Sequence, residues 1–199
     1  GVAQAAHDAA AVIEAEAEGG AVHVLGASLG AAVALELALR APERVRSLAL
    51  LTPFLEAGPR LRAVLRAWCR VARWDDARML LPWLFSEAFL ADEEACERAV
   101  RGLAQMAARV PAATLERSAA GLEAWSGVRC REELGRISAP TLLLAAGGDL
   151  LVGDAEGLAA AIPGARLERI AHAGLALASA APEAVEGALR AHLDGAGGL

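Results

Sequence analysis

Short apolar runs and Ala- and Leu-rich helical segments alternate along most of the chain. The apolar runs predict four strands, over residues 21–25, 45–51, 139–146 and 165–170. The segments around them predict helices over residues 2–18, 29–40, 154–161 and 182–193. Because these strands are apolar and alternate with helices, we expect an α/β fold with a mainly parallel sheet covered by helices. In the first helix, we expect Val12 and Ile13 to contact the core.

The composition changes between residues 56 and 136, where Arg alternates with apolar residues and all four Trp residues occur. Helical spacing predicts one helix through Leu61, Val64, Leu65, Trp68 and Val71, and two more near 92–109 and 112–126. Such a block inserted between two strands predicts a helical cap. We therefore divide the chain into a core of residues 1–55 and 137–199 and a cap of residues 56–136. The large apolar side chains of the cap, together with Phe54, either line an apolar pocket or pack between cap and core. Those of the cap include Met79, Phe85, Phe89 and Met106.

Composition and charge exclude several classes of function. The 199 residues fit one domain, and 56% hydrophobic residues are ample for a core. A net charge of −6 argues against nucleic acid or an anionic membrane as a partner. The three Cys residues are far apart and lack C-x-x-C spacing, so we expect free thiols, no metal and no cofactor. No apolar run is long enough to span a bilayer, which favours a cytoplasmic location.

The chemistry-bearing motif lies between the first predicted strand and the helix that follows it. Gly26-Ala27-Ser28-Leu29-Gly30 is a G-x-S-x-G element, and its strand–turn–helix context is that of a nucleophile elbow. Small neighbours let the chain turn sharply there, which exposes the Ser28 hydroxyl at the end of the sheet. The Leu29 amide begins the helix and is the candidate oxyanion donor. The alternative is a tight strand-to-helix turn without a catalytic role.

The order of these features resembles the α/β-hydrolase superfamily, in particular its capped esterase and lactonase-like members. The turn Gly147-Gly148-Asp149 is similar to the family's acid turn, which implies that Asp149 is the acid of a catalytic triad. Family members carry Gly-His after the last strand, and counting back from Pro182 places Leu175 at that histidine position. His172 lies three residues earlier and is the only candidate base in that segment.

The departure at Leu175 has a chemical consequence. A serine hydroxyl needs a base within about 3 Å to remove its proton, and leucine is not a base. Three residues of chain span up to about 10 Å, so His172 serves only if its loop is rerouted, for which Gly174 gives some freedom. Otherwise His172 is a loop residue beside a lost catalytic position.

A second departure concerns the start of the sequence. Only one helix precedes the elbow strand, whereas the family has earlier strands there, one of them followed by the loop of a second oxyanion amide. The resemblance therefore implies either absent N-terminal strands or a piece of a longer polypeptide. In both cases the second oxyanion donor is missing from these residues. Without a neighbour on its other side, the elbow strand presents an apolar edge. We expect this edge to pair with a second copy of the chain, giving a homodimer, or with a separate N-terminal segment.

Three functions remain open at this point. The first is a serine hydrolase in which Ser28, Asp149 and His172 act on an ester, lactone or thioester of a small apolar substrate, with activity impaired or lost. The second is a non-catalytic relative that binds an apolar small molecule or a protein partner. The third is a structural or interaction module that offers only the open edge.

Overall fold

The computed structural model describes residues 1–17, 20–71, 77–125 and 128–197. Its centre is a four-stranded sheet in the order β1-β2-β3-β4, and all neighbouring strands are parallel. The strands are β1 (Val22–Ala27), β2 (Val45–Leu51), β3 (Thr141–Ala146) and β4 (Arg166–Ile170). The predicted α/β fold with a parallel sheet is confirmed. Because every connection is a parallel crossover, the carboxyl ends of all four strands lie at one edge of the sheet.

Eleven α-helices surround this sheet in the described part of the chain. The core helices are α1 (Val2–Glu16), α2 (Leu29–Arg40), α9 (Ala155–Ala161), α10 (Leu177–Ala180) and α11 (Pro182–Gly195). The helices between β2 and β3 are α3 (Pro59–Val71), α4 (Leu81–Leu84), α5 (Glu87–Leu90), α6 (Glu93–Arg109), α7 (Ala112–Ala124) and α8 (Val128–Glu133). Trp74 lies outside the described residues, and the division into core and cap stays a prediction. Among the described helices, none combines the length and apolar content that a membrane span needs.

The sheet is covered on both faces, as its apolar strands require. On one face, Leu48, Leu50 and Leu143 pack with buried residues of α1, α2 and α9. On the other face, Leu142 and Leu144 pack with buried residues of α10 and α11. The alternation along β2 and β3 is the period-two pattern of strand side chains. The result is a three-layer core with the sheet in the middle.

A third apolar cluster joins the inserted helices to the sheet. Phe54, which follows β2, packs there with Leu61 and Val64 of α3, Leu122 of α7 and Leu175. Phe54 also makes an edge-on contact with the ring of Trp125, at a centroid distance of 6.4 Å. This cluster, which we call the junction cluster, fixes the inserted helices next to the carboxyl ends of the strands.

The elbow strand differs from the central strands in its exposure. Strand β1 is at the edge of the sheet, and its Leu25 side chain is 54% exposed. Helix α1 uses Val2, Ala6 and Ile13 for packing, whereas Val12 is 60% exposed. The expectation for Val12 was wrong because that position lies off the stripe at helical spacing that faces α2.

Candidate active site

Ser28 is the single residue between strand β1 and helix α2. Its backbone has φ 51° and ψ −115°, a conformation that residues other than glycine rarely adopt. The turn is that tight because Gly26 lies against the start of α2: a Cβ atom there would be 2.3 Å from the Gly30 carbonyl oxygen. The Ser28 side chain is half-buried and does not cap the helix that follows it. Its hydroxyl is therefore not engaged by the amides of α2.

The Leu29 amide is the first of helix α2, where N–H groups have no acceptor within the helix. The positive end of the helix dipole adds to its preference for an anion. The Ser28 amide, in contrast, donates to the Leu51 carbonyl at 3.0 Å and extends the pairing of β1 with β2. Leu29 thus has the position that an oxyanion donor requires, and its role stays a prediction.

Asp149 lies in the turn after β3, where its two carboxylate oxygens have different surroundings. Oδ1 accepts hydrogen bonds from the backbone amides of Leu151, at 2.7 Å, and Val152, at 3.2 Å. Oδ2 is buried and has no hydrogen-bond partner among the described residues. Burial raises the pKa of Asp149, and the two amide hydrogen bonds oppose that rise. The Asp149 carboxylate is therefore oriented through Oδ1, while Oδ2 is an acceptor without a partner among the described residues, and the role of Asp149 as a catalytic acid stays a prediction.

Leu175 is the residue predicted to stand at the family's histidine position, and this assignment stays a prediction. Its side chain is 8% exposed and belongs to the junction cluster, which also contains Leu151 and the partly buried Leu29. The cluster therefore includes the residue after Ser28 and a residue whose backbone amide orients Asp149. An isobutyl group cannot accept a proton, so the described side chains of this cluster supply no general base.

His172 is exposed and has a positive φ of 59°. Its carbonyl oxygen accepts a hydrogen bond from the Ser86 hydroxyl, which ties the loop to the inserted helices. His172 lines an open recess with Ser86, Gly147 and Gly148, whereas Asp149 lines a separate cavity of about 30 Å³. No hydrogen bond joins the imidazole to Ser28 or Asp149 in the described structure. Its role as base stays a prediction.

Thr52 is a residue that sequence reasoning missed. It follows β2, is 2% exposed and has a φ of 45°. Its amide donates to the Leu144 carbonyl at 2.8 Å, and its hydroxyl lies 3.5 Å from the Leu175 carbonyl oxygen, to which it donates. Thr52 also lines the small cavity beside Asp149. Its place directly after a buried strand of a parallel sheet was the available signal.

Residues with a strained backbone occur near the carboxyl ends of the strands. Ser28, Thr52 and His172 are the non-glycine residues with positive φ in the described chain, and each lies within two residues of the carboxyl end of a strand. Strained residues of this kind cluster at functional sites, and open α/β sheets bind ligands at this edge. The candidate site is therefore at the carboxyl edge of the sheet.

The same fold and sequence pattern occur in known proteins. The family described as alpha/beta hydrolase fold matches residues 2–176. A relative from Azorhizobium caulinodans, named "Putative carbamate hydrolase RutD", is 31% identical over 194 residues, which cover 92% of this chain and 69% of that protein.

Two solved structures are also similar. One is a hydrolase from Pseudomonas aeruginosa PA01, with a TM-score of 0.76, 29% identity, and coverage of 94% of this chain and 70% of that one. The other is a thermophilic esterase from Thermogutta terrifontis, with a TM-score of 0.80, 24% identity, and coverage of 96% and 71%. The chain belongs to the α/β-hydrolase fold family.

Proposed function

We propose that this chain binds an ester, lactone or thioester of a small apolar compound next to Ser28, and that it hydrolyses this compound slowly or not at all. The observation that carries the proposal is the burial of Leu175 in the junction cluster, while Asp149 Oδ2 has no hydrogen-bond partner among the described residues. The nucleophile and the acid are held in place, and the group that would connect them is replaced by a hydrocarbon side chain.

Loss of the base alone is costly because the members of a catalytic triad act as a unit. Removing one member lowers the rate by several orders of magnitude, even when the other two are intact. What remains is binding of the acyl compound and the Leu29 amide. The amide can stabilise an oxyanion, but neither contribution activates the nucleophile. The fold therefore supports binding of an acyl compound more strongly than its turnover.

The alternative is an active serine hydrolase in which His172 is the base. It requires the imidazole to leave its recess beside Ser86 and to reach hydrogen-bond distance of both Ser28 and Asp149. The hydrogen bond between the His172 carbonyl and Ser86 opposes that movement. Family membership favours this alternative, since hydrolases are among the relatives.

One experiment separates the two. The protein, Ser28→Ala and His172→Ala are each incubated with a fluorophosphonate probe and with p-nitrophenyl esters of several chain lengths. A carbamate belongs in the panel because of the relative's name. We expect turnover near that of buffer and no dependence on His172. Ser28-dependent turnover that is lost in His172→Ala would overturn the proposal and establish the active enzyme.

A further inference from the structure

A second cavity, of about 380 Å³, lies between the inserted helices and helix α10. One wall is a stripe along α6 with the spacing of a single helix face, formed by Ala95, Arg98, Ala99, Gly102, Leu103 and Met106. The side chains at three of these positions are small, which leaves the space open. The volume is within the range of small-molecule sites.

The opposite wall is mostly apolar. Phe85 and Phe89 stack with ring centroids 4.1 Å apart and an interplanar angle of 17°. Phe85 is buried, and Ala176 and Ser179 complete this side. On the α6 side, Met106 is 54% exposed, so its thioether side chain offers apolar surface to a ligand rather than to the core.

The cavity has two polar groups, the Arg98 guanidinium and the Ser179 hydroxyl. Arg98 forms a hydrogen-bonded ion pair with Glu94 one helical turn earlier, at 2.7 Å. Both side chains are mostly exposed, and such pairs contribute little free energy. A ligand carboxylate can therefore replace Glu94 at small cost, with Ser179 as a second donor.

We propose that this groove binds a single-chain carboxylate amphiphile. The carboxylate binds at Arg98 and Ser179, and the alkyl chain lies along α6 toward Met106. Eight residues of helix separate Arg98 from Met106, a distance of about 12 Å. An extended chain advances roughly 1.2 Å per bond, so the groove fits an alkyl chain of roughly ten carbons. None of the lining residues belongs to the Ser28 site, and binding here does not depend on hydrolysis.

The shape of the groove is tested with decanoate, titrated calorimetrically below its micelle concentration. Gly102→Leu places a side chain in the groove, and a Cβ atom at Gly102 meets no atom within 4 Å, so the helix accepts it. The matched control is Gly187→Leu on α11, an exposed helical glycine whose Cβ is equally free. We expect at least a tenfold loss of affinity in Gly102→Leu and none in Gly187→Leu. No binding to the unaltered protein, or equal binding to all variants, overturns the proposal.

The role of Arg98 is tested by removing the charge from the protein side chain and, separately, from the ligand. Arg98→Gln is compared with Arg101→Gln, an exposed residue of the same helix that does not line the groove. Each variant is titrated with decanoate and with uncharged 1-decanol. We expect Arg98→Gln to weaken the binding of decanoate about tenfold and the binding of decanol hardly at all, while Arg101→Gln changes neither affinity. An equal effect of both variants on decanoate would show attraction by net charge alone and would contradict the proposed site.

Discussion

Gly26 and Gly30 are in backbone contact, because a Cβ atom on Gly26 would lie 2.3 Å from the carbonyl oxygen of Gly30. It would also lie 2.8 Å from the Ala31 Cα. Strand β1 and helix α2 therefore approach each other through backbone atoms that cannot move aside cheaply. The reverse does not hold, since a Cβ atom on Gly30 meets no atom within 4 Å. The two glycines of the motif thus have different physical roles.

The first prediction uses this difference. Gly26→Ala forces the strand and the helix apart and should lower the free energy of unfolding by about 1–3 kcal/mol. Gly30→Ala, the matched control, should be neutral or should stabilise the protein by up to about 1 kcal/mol, because alanine favours the helix. Urea unfolding of both variants measures the two values. Equal losses would contradict the contact at Gly26.

A second prediction concerns the charge on Asp149. Burial raises the pKa of this carboxyl, so the folded protein holds the proton more tightly than the unfolded chain does. The stabilisation of the folded protein by this proton is complete below about pH 4, the pKa of Asp149 in the unfolded chain. It is lost as the pH rises through the pKa of Asp149 in the folded protein. Asp149→Asn keeps an acceptor for the Leu151 and Val152 amides and removes the charge.

We therefore expect Asp149→Asn to be more stable than the unaltered protein at pH 8, with a difference that shrinks toward pH 4. Thermal unfolding across this pH range measures the difference, in which the effects of other titrating groups cancel. A difference that does not change with pH, or that grows as the pH falls, would show that burial does not dominate at Asp149.

The third prediction concerns His192 of α11, which is 6% exposed and whose Nε2 atom is buried without a hydrogen-bond partner among the described residues. Burial lowers the pKa of His192; Arg166 and His23 add to the lowering, and a hydrogen bond with the Leu48 backbone and the charge of Glu168 oppose it. As the pH falls through about 6.5, the unfolded chain gains a proton that the folded protein resists, so stability is lost.

His192→Gln removes this titration, and exposed His7→Gln on α1 is the matched control. Between pH 7.5 and 5.5, the unaltered protein and His7→Gln should lose stability more steeply than His192→Gln. Urea midpoints at several pH values report the slopes. Parallel slopes for all three proteins would contradict a buried neutral imidazole.

A fourth prediction concerns the edge strand β1. Pairing of this edge with a second copy or with a separate N-terminal segment stays a prediction. Leu25, which is 54% exposed, is the residue at which this pairing can be tested. Light scattering after size-exclusion chromatography should give more than the mass of one chain. Leu25→Lys should reduce it to one chain, because a charged edge strand resists pairing. Val12→Lys on α1, where the side chain is similarly exposed, should have no effect. A monomer at high concentration without a companion fragment would refute the pairing.

The elements of the core follow from the sequence because continuous apolar runs and helical composition are local signals. Strand β2 and helix α2 have the predicted bounds, and β4 begins one residue later than predicted. The strained turn at Ser28 and the turn at Asp149 were also readable, since each directly follows an apolar strand.

Other features depend on contacts between distant segments. The hydrogen bond from Thr52 to Leu175 spans 123 positions, and no local pattern encodes it. The open recess lined by His172 is also lined by Ser86, which is 86 positions away. The exposure of Val12 was missed because α1 has alanine on most sides, so its sequence does not mark which side packs.

The central claim is that Ser28 is positioned but not activated because Leu175 fills the place of the base. It is tested most directly by Leu175→His, assayed for hydrolysis of p-nitrophenyl butyrate against the unaltered protein, with Leu175→Asn as the polar control. We expect the new imidazole to donate to Asp149 Oδ2, which has no hydrogen-bond partner among the described residues. Circular dichroism establishes that each variant is folded.

We expect Leu175→His to gain at least about a hundredfold in kcat/KM over the unaltered protein, the usual contribution of a positioned base. This gain should be absent in Leu175→Asn and abolished by Ser28→Ala. A folded Leu175→His protein without any gain, or an unaltered protein that already has full Ser28-dependent turnover, would contradict the account.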